Sequence, residues 1–274
     1  MYIGIDVGGT KTAIGISEDA VKVEFTDKEQ VTNTNDFEKD YIQIRDLIAH
    51  LANTRSIDSI GLALPGILTP DKTTIQKCLN LPGWSGKPIK QRLEEDFSVS
   101  VKTIHDVAAA ALGEYLYGSA EEQDYLFVIW GTGLSSALLR KQNKVVSITS
   151  DESGFHVIAA GSSHPTWGSN CAGRGIAKKY GKNAGELSEA EWNEVADFFA
   201  IGLYNLITIT GTDLIVVGGG IMGKQQQLLP RINDKVTSIL EQNSLQEMLP
   251  EIRIANLGSD AGLYGAIGRT ITEM

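Results

Sequence analysis

The chain has 274 residues, 42% of them hydrophobic, with 34 acidic against 24 basic side chains and a formal charge of −10. That length can bury one large core or two modest ones, and two domains are expected. The acidity argues against a nucleic-acid surface, which needs clustered Lys and Arg, and no apolar run approaches the roughly 20 residues of a membrane span.

A first strand is predicted over 2–7, ending at Asp6-Val7, and the turn Gly8-Gly9-Thr10-Lys11-Thr12 leads into a second strand over 11–17. A carboxylate and a glycine turn at a strand end make an anion site: Gly8 and Gly9 can take backbone angles closed to other residues, and Thr10 and Thr12 add hydroxyl donors. No GxxxxGK[ST] loop occurs, and an ordinary hairpin is the plain alternative. Since these first residues run into a glycine turn instead of a signal peptide, a cytoplasmic protein is expected. Further elements are a strand at 21–26, a helix at 37–52 and a strand at 58–64, followed by turns at Leu64-Pro65-Gly66 and Asn80-Leu81-Pro82-Gly83-Trp84. A helix at 88–95, a strand at 99–104 and a helix at 107–117 complete this half, with His105-Asp106 at the last junction.

The opening pattern then repeats. Tyr125 to Trp130 reads as a strand, Gly131-Thr132-Gly133 as a turn, and the chain through Leu139 as a returning strand, which implies two related half-molecules. A long helix is predicted over 189–210, a strand over 214–217, then Gly218-Gly219-Gly220 opening a helix to about Gln242, a strand over 252–255 and a helix over 261–272. Gly218, Gly220 and Gly223 satisfy the dinucleotide pattern GxGxxG, yet the next strand ends in Ala255-Asn256 without the acid that pattern needs. These glycines are assigned to the nucleoside end of a nucleotide, with tight packing as the alternative. Cys78 and Cys171 are too few for a disulfide framework, so reduced thiols are expected.

Taken together, IDVGGTKTAIGI, ALPGI with NLPGW, HDVAAAALGE, the GTG turn, VVGGGI and SDAGLYGA resemble the ROK family of sugar kinases over nearly the whole chain. The resemblance implies an α/β fold of two actin-like, ribonuclease H-like ATPase domains around a central cleft. Their expected bounds are residues 1–106 with 259–274, and 107–258. It implies transfer of the γ-phosphoryl group of ATP to a hexose hydroxyl with Mg²⁺, most simply as a glucokinase; a kinase for another hexose or an N-acetylhexosamine, a polyphosphate donor and a sugar-binding homologue without turnover are the alternatives, and a homodimer is the family expectation. On that pattern Asp106 is the general base, with helix capping as its structural alternative. Asp6 belongs to the Mg²⁺ shell through water. Gly8, Gly9, Thr10, Lys11 and Thr12, with Gly131, Thr132 and Gly133, face phosphate, and Gly218, Gly219 and Gly220 the nucleoside. Gly66, Asn80, His105 and Glu152 are nominated for the sugar, although each could instead brace its own loop. Trp84 and Trp130 read as packing residues.

Departures from the family pattern also carry expectations. His105 stands where the family has Asn, and the family's ExGH appears as Glu152-Ser153-Gly154-Phe155 with His156 one place late. The zinc motif CxCGxxGC is reduced to a single thiol at Cys171, and Lys178 falls near the position of a further sugar-binding Glu. No structural zinc is expected, because tetrahedral zinc wants four ligands. A sugar-sensing regulator is disfavoured, since the chain opens on the phosphate hairpin and carries no helix-turn-helix ahead of it.

Overall fold

The computed structural model describes residues 1–120, 123–143, 145–160 and 164–274. In chain order the first elements are β1 (Tyr2–Val7), β2 (Lys11–Ser17), β3 (Phe25–Thr32), α1 (Phe37–Ala52), β4 (Ser59–Leu64), β5 (Ile67–Leu68), β6 (Ile75–Lys77), α2 (Ile89–Phe97), β7 (Ser100–His105) and α3 (Asp106–Tyr117). There follow β8 (Tyr125–Trp130), β9 (Leu134–Gln142), β10 (Val145–Asp151), α4 (Trp167–Cys171), α5 (Gly173–Tyr180), α6 (Glu189–Thr210), β11 (Leu214–Gly218), α7 (Leu229–Gln242), β12 (Glu251–Ile254) and α8 (Ala261–Ile271). Among the described residues no helix is long and apolar enough to cross a membrane.

Two compact units result. The first comprises Met1–Glu121, Gln142–Ser147 and Asp260–Met274, the second Glu122–Lys141 and Ile148–Ser259. The first unit's sheet runs β3-β2-β1-β4-β7, and the second sheet runs β10-β9-β8-β11-β12. In both, a hairpin is followed by parallel strands: β1 is antiparallel to β2 and parallel to β4, while β8 is antiparallel to β9 and parallel to β11. The internal repeat read from the two Gly-Thr turns is therefore a repeat of whole sheets. Its turns differ by one residue, because Val7 pairs with Thr12 whereas Trp130 pairs with Leu134.

Each unit has its own core. In the first, Ile3, Ile5, Ile14, Ile16 and Leu62 meet Phe37, Tyr41, Ile44 and Trp84. In the second, Trp130, Trp167, Phe199 and the strand Ile215–Val217 are packed with Ile232, Val236 and Leu240. Trp84 and Trp130 are thus core residues, as their sequence contexts suggested.

Three boundaries depart from expectation. The third strand begins at Phe25, not at 21, because Asp19 and Ser17 fold residues 17–24 into a turn: Val21 N–H donates to Asp19 Oδ1 at 2.7 Å and Glu24 N–H to Ser17 Oγ at 3.1 Å. No helix opens at Gly220; Gly219 takes φ +92°, a turn follows, and α7 starts only at Leu229. Finally, α3 belongs to the first unit, whereas the sequence reading ended that domain at residue 106.

The reason for the last departure is α8. Its backbone sits against α3, where a Cβ on Gly265 would overlap the carbonyl of Ala109 and one on Gly113 the carbonyl of Ala261. It also sits against the sheet, where a Cβ on Gly61 would overlap Ala266 and one on Gly4 would lie 2.8 Å from Leu263 O. Side chains are omitted on both faces of one short helix so that backbones can touch.

Gly265→Ala should therefore destabilise the protein by about 2 kcal/mol or more through forced separation of α3 and α8. Gly185→Ala, whose Cβ would meet open space, should leave the urea midpoint nearly unchanged. Equal midpoints for the two variants would contradict this packing.

Candidate active site

Parallel pairing of β1 with β4 brings Asp6 beside Ala63, and the α8 seat sets it against Gly262, where even a methyl group would overlap the Asp6 carboxylate. Burial is the largest cause raising the Asp6 carboxyl to about 7; the charge of Asp106 raises it next, Lys11 pulls it back, and Asp260 raises it again. Those contributions identify a carboxylate group in one unit: Asp6 on β1, Asp106 as the first residue of α3, and Asp260 just ahead of α8.

Asp106 is not the helix cap. His105 occupies that position without a side-chain capping bond, and Asp106 Oδ1 accepts the Val107 N–H at 2.7 Å. His105 Nδ1 lies 3.3 Å from the same oxygen, with the His side chain 15% and the Asp side chain 33% exposed. Asp260 is paired with Lys28 Nζ at 2.5 Å. The Asp6 carboxyl, pushed up to about 7 first by burial and then by the Asp106 charge, is a hard oxygen donor that a divalent cation such as Mg²⁺ would fit. Among the described residues no set of three His, Cys, Asp or Glu is placed to ligate a metal directly.

The first turn is built differently from its sequence image. Neither Gly8 nor Gly9 has a positive φ. Gly8 N–H closes the hairpin on Lys11 O at 2.9 Å, and glycine is needed at position 9 because a Cβ there would lie 2.6 Å from Cβ of Asn80. Thr10 and Lys11 are exposed, whereas Thr12 is fully buried and its hydroxyl donates to Asn33 Oδ1 at 2.9 Å. Thr12 is thereby removed from the expected ring of phosphate donors: a residue paired inward with Val7 turns its side chain into the core. Gly66 does use its freedom, at φ +78°, with Cys78 and the Lys77 carbonyl crowding it.

In the second unit Gly131 N–H donates to Gly133 O at 3.0 Å, and the turn's carbonyls receive the start of α5, with Gly173 N–H on Gly131 O at 2.8 Å and Arg174 N–H on Thr132 O at 3.1 Å. Beside it runs the glycine triplet: Gly219 is pressed to the Trp130 carbonyl, Ile221 N–H donates to Trp130 O at 3.0 Å, and a Cβ on Gly131 would lie 3.7 Å from Gly220 N. Gly218 is buried against Phe127, while a Cβ on Gly220 would face open space. Gly131 to Gly133 and Gly219-Gly220 thus lie side by side, with Thr132 and Gly220 exposed, whereas the buried Gly218 packs against Phe127 and is withdrawn from the expected nucleoside contacts. Arg174, exposed, adds a guanidinium beside Gly133.

Glu152 is exposed at the start of a short turn whose Phe155 N–H donates to Glu152 O at 2.9 Å. It lies in the second unit, whereas Gly66, Asn80, His105 and Asp106 lie in the first. The zinc position does not fit zinc. Cys171 is buried with its thiol donating to Trp167 O at 3.2 Å, and burial holds that thiol well above its ordinary value. His156 stacks on Trp167 at 5.2 Å between ring centroids, and burial lowers its basicity. His164 and Lys178 are exposed.

Sequence reading did not single out Asn33, Asp40, Arg174 or Asp260. Asn33 and Asp40 sit in a polar run, NTNDFEKD, whose look is that of any solvated loop and helix start.

The sequence profile described as the ROK family matches residues 2–269. An N-acetyl-D-glucosamine kinase of Vibrio parahaemolyticus is 27% identical over 97% of this chain and 98% of its own length. A glucokinase of Halalkalibacterium halodurans is 27% identical over 96% and 93%. Among solved structures, a ROK family glucokinase of Streptomyces griseus in complex with glucose and AMPPNP superposes with a TM-score of 0.76, at 21% identity over 99% of this chain and 98% of that one.

The raised Asp6 carboxyl has a stability consequence. Ionising it costs the folded state and not the unfolded one, so this group lowers stability progressively from about pH 4 to about pH 7, with the full penalty above 7. Asp6→Asn should raise stability at pH 8 by up to about 4 kcal/mol, and the gain should shrink toward zero as pH falls to about 4. Thermal melts of both proteins across that range would reveal it; a constant difference in melting temperature would contradict it.

Proposed function

The chain belongs to the ROK family, and from that premise we propose that it is an ATP-dependent hexose kinase with glucose as its favoured acceptor. The supporting observation is the pairing in one unit of Asp106 at a helix start with Asp6 at a strand end, whose carboxyl is raised to about 7 by burial and then by the Asp106 charge. Phosphoryl transfer asks for an acceptor in line and for neutralisation of charge spread over the phosphate oxygens. Asp106, oriented by Val107 N–H, takes the proton of the attacking hydroxyl. Asp6 would hold Mg²⁺ through water, and that ion, when bound, would neutralise charge on the phosphate oxygens.

Within the first turn Thr10 and Lys11 face the phosphates, while Thr12 acts through Asn33. The backbone of Gly131 to Gly133 and of Gly219-Gly220 takes the nucleotide, with Arg174 as an added cation and Gly218 serving the packing beneath. For the acceptor, Asn80 and His105 of the first unit supply hydrogen bonds, and Glu152 of the second unit is assigned by the family resemblance alone. Gly66 packs its own turn against Lys77 and Cys78, just ahead of Asn80. The motif Asn80-Leu81-Pro82-Gly83-Trp84 favours glucose; His105 in place of the family's Asn is the position at which another hexose would be admitted.

A coupled ADP-release assay over glucose, mannose, fructose, N-acetylglucosamine and N-acetylmannosamine, with ATP and then polyphosphate as donor, tests the proposal. Glucose with ATP should give the highest kcat/KM, and Asp106→Asn should lower kcat by about 100-fold or more with little change in melting temperature. No sugar-stimulated turnover with either donor would favour a sugar-binding protein without kinase activity. Unchanged turnover in Asp106→Asn would remove that residue from the mechanism.

A further inference from the structure

The residues between β3 and α1 make an unusual set of bonds. Asn33 holds three members of the first turn at once: its N–H donates to Thr10 O at 2.9 Å, its Nδ2 to Gly8 O at 2.7 Å, and its Oδ1 accepts the Thr12 hydroxyl at 2.9 Å. Two residues on, Asn35 holds a different loop, its Oδ1 accepting the N–H of Gly83 at 2.8 Å. Asn35 has φ +66°, which aims its side chain back at that loop, and glycine is required at 83 because a Cβ would overlap the Asn35 carbonyl.

Asp40 locks the pieces together. It has no exposed surface, and its carboxylate accepts Thr34 N–H at 2.7 Å, Thr34 hydroxyl at 2.8 Å, Asn35 N–H at 3.1 Å and Trp84 Nε1–H at 3.0 Å. Helix capping does not explain it, since Asp36 caps α1 by accepting Glu38 and Lys39 N–H. A buried carboxylate is costly unless fully bonded, and this one spends all four bonds joining the 33–35 segment to the loop that carries Asn80. The two loops also touch directly, at Gly9 against Asn80.

We propose that Asn33, Asn35 and Asp40 form a positioning bracket that makes the phosphate turn at Gly8–Thr12 and the acceptor loop at Asn80–Trp84 move as one body. Hexose and nucleotide binding are then positively coupled, and ATP meets a correctly formed turn only when the acceptor loop is settled. This rests on the kinase reading above. By linkage the coupling is reciprocal: a nucleotide analogue tightens the sugar by the same factor that the sugar tightens the analogue.

The experiment measures the Kd of glucose by calorimetry with and without saturating AMPPNP, alongside hexokinase turnover and melting temperature, in the full chain. Wild type should show at least about fivefold tightening of glucose by the analogue. Asn35→Gly, which keeps the backbone angle while deleting the acceptor, should bring that factor close to one with the protein still folded, and Asn35→Asp, which keeps the acceptor, should restore it. Thr12→Val should lower the factor from the other end, with Thr12→Ser as the rescue. Combining Asn35→Gly with Thr12→Val should cost no further coupling, as expected of one connected device.

A wild-type factor of one in a protein that does phosphorylate hexose would overturn the bracket and leave the kinase reading intact. So would wild-type coupling in both Asn35→Gly and Thr12→Val. Should Asn35→Gly not fold, Thr12→Val decides alone. Absence of turnover in wild type with every hexose and donor would instead overturn the kinase reading and the bracket with it.

Discussion

The first unit depends on how closely one eleven-residue helix can lie against its neighbours. At α8, glycine on one side or the other of each contact lets backbone meet backbone: Gly61 and Gly4 from the sheet, Gly113 from α3, Gly265 from the helix itself. Close seating has an electrostatic consequence. It brings Gly262 onto the carboxylate of Asp6 and places Asp260 and α3, with Asp106 at its head, around the same point. Packing that would be a matter of stability elsewhere here buries one carboxylate and sets other carboxylates around it.

Much of this was legible in the sequence. Alternating apolar strands, the two Gly-Thr turns and the strand-to-helix junction at Asp106 announced both sheets, and their shared strand order confirms the internal repeat. What stayed illegible had physical reasons. The edge strand β3 is polar along most of its length, so it carries no hydrophobic period, and its start is displaced by a turn that Ser17 and Asp19 tie with their side chains. The glycines after β11 looked like the opening of a helix, but Gly219 at φ +92° serves to pass the Trp130 carbonyl.

The site was read at the level of motifs and missed at the level of bonds. Gly8-Gly9 suggested unusual backbone angles, whereas the turn is an ordinary hairpin whose second glycine makes room for Asn80. Thr12 was expected to face the ligand and instead faces Asn33. Asn33 and Asp40 gave no signal, because long-range hydrogen bonds between loops have no sequence period. The same holds at Trp167, where an aromatic stack with His156 and a buried thiol at Cys171 come from packing between separate segments.

α8 and α3 hold Asp6 buried and among other carboxylates. Selective ¹³C labelling of aspartate and an NMR titration of metal-free protein test it most directly. Asp6 should titrate near 7, and its midpoint should move down in Asp106→Asn, since Asp106 is the largest charged contributor. A midpoint near 4 that ignores the substitution would contradict the account.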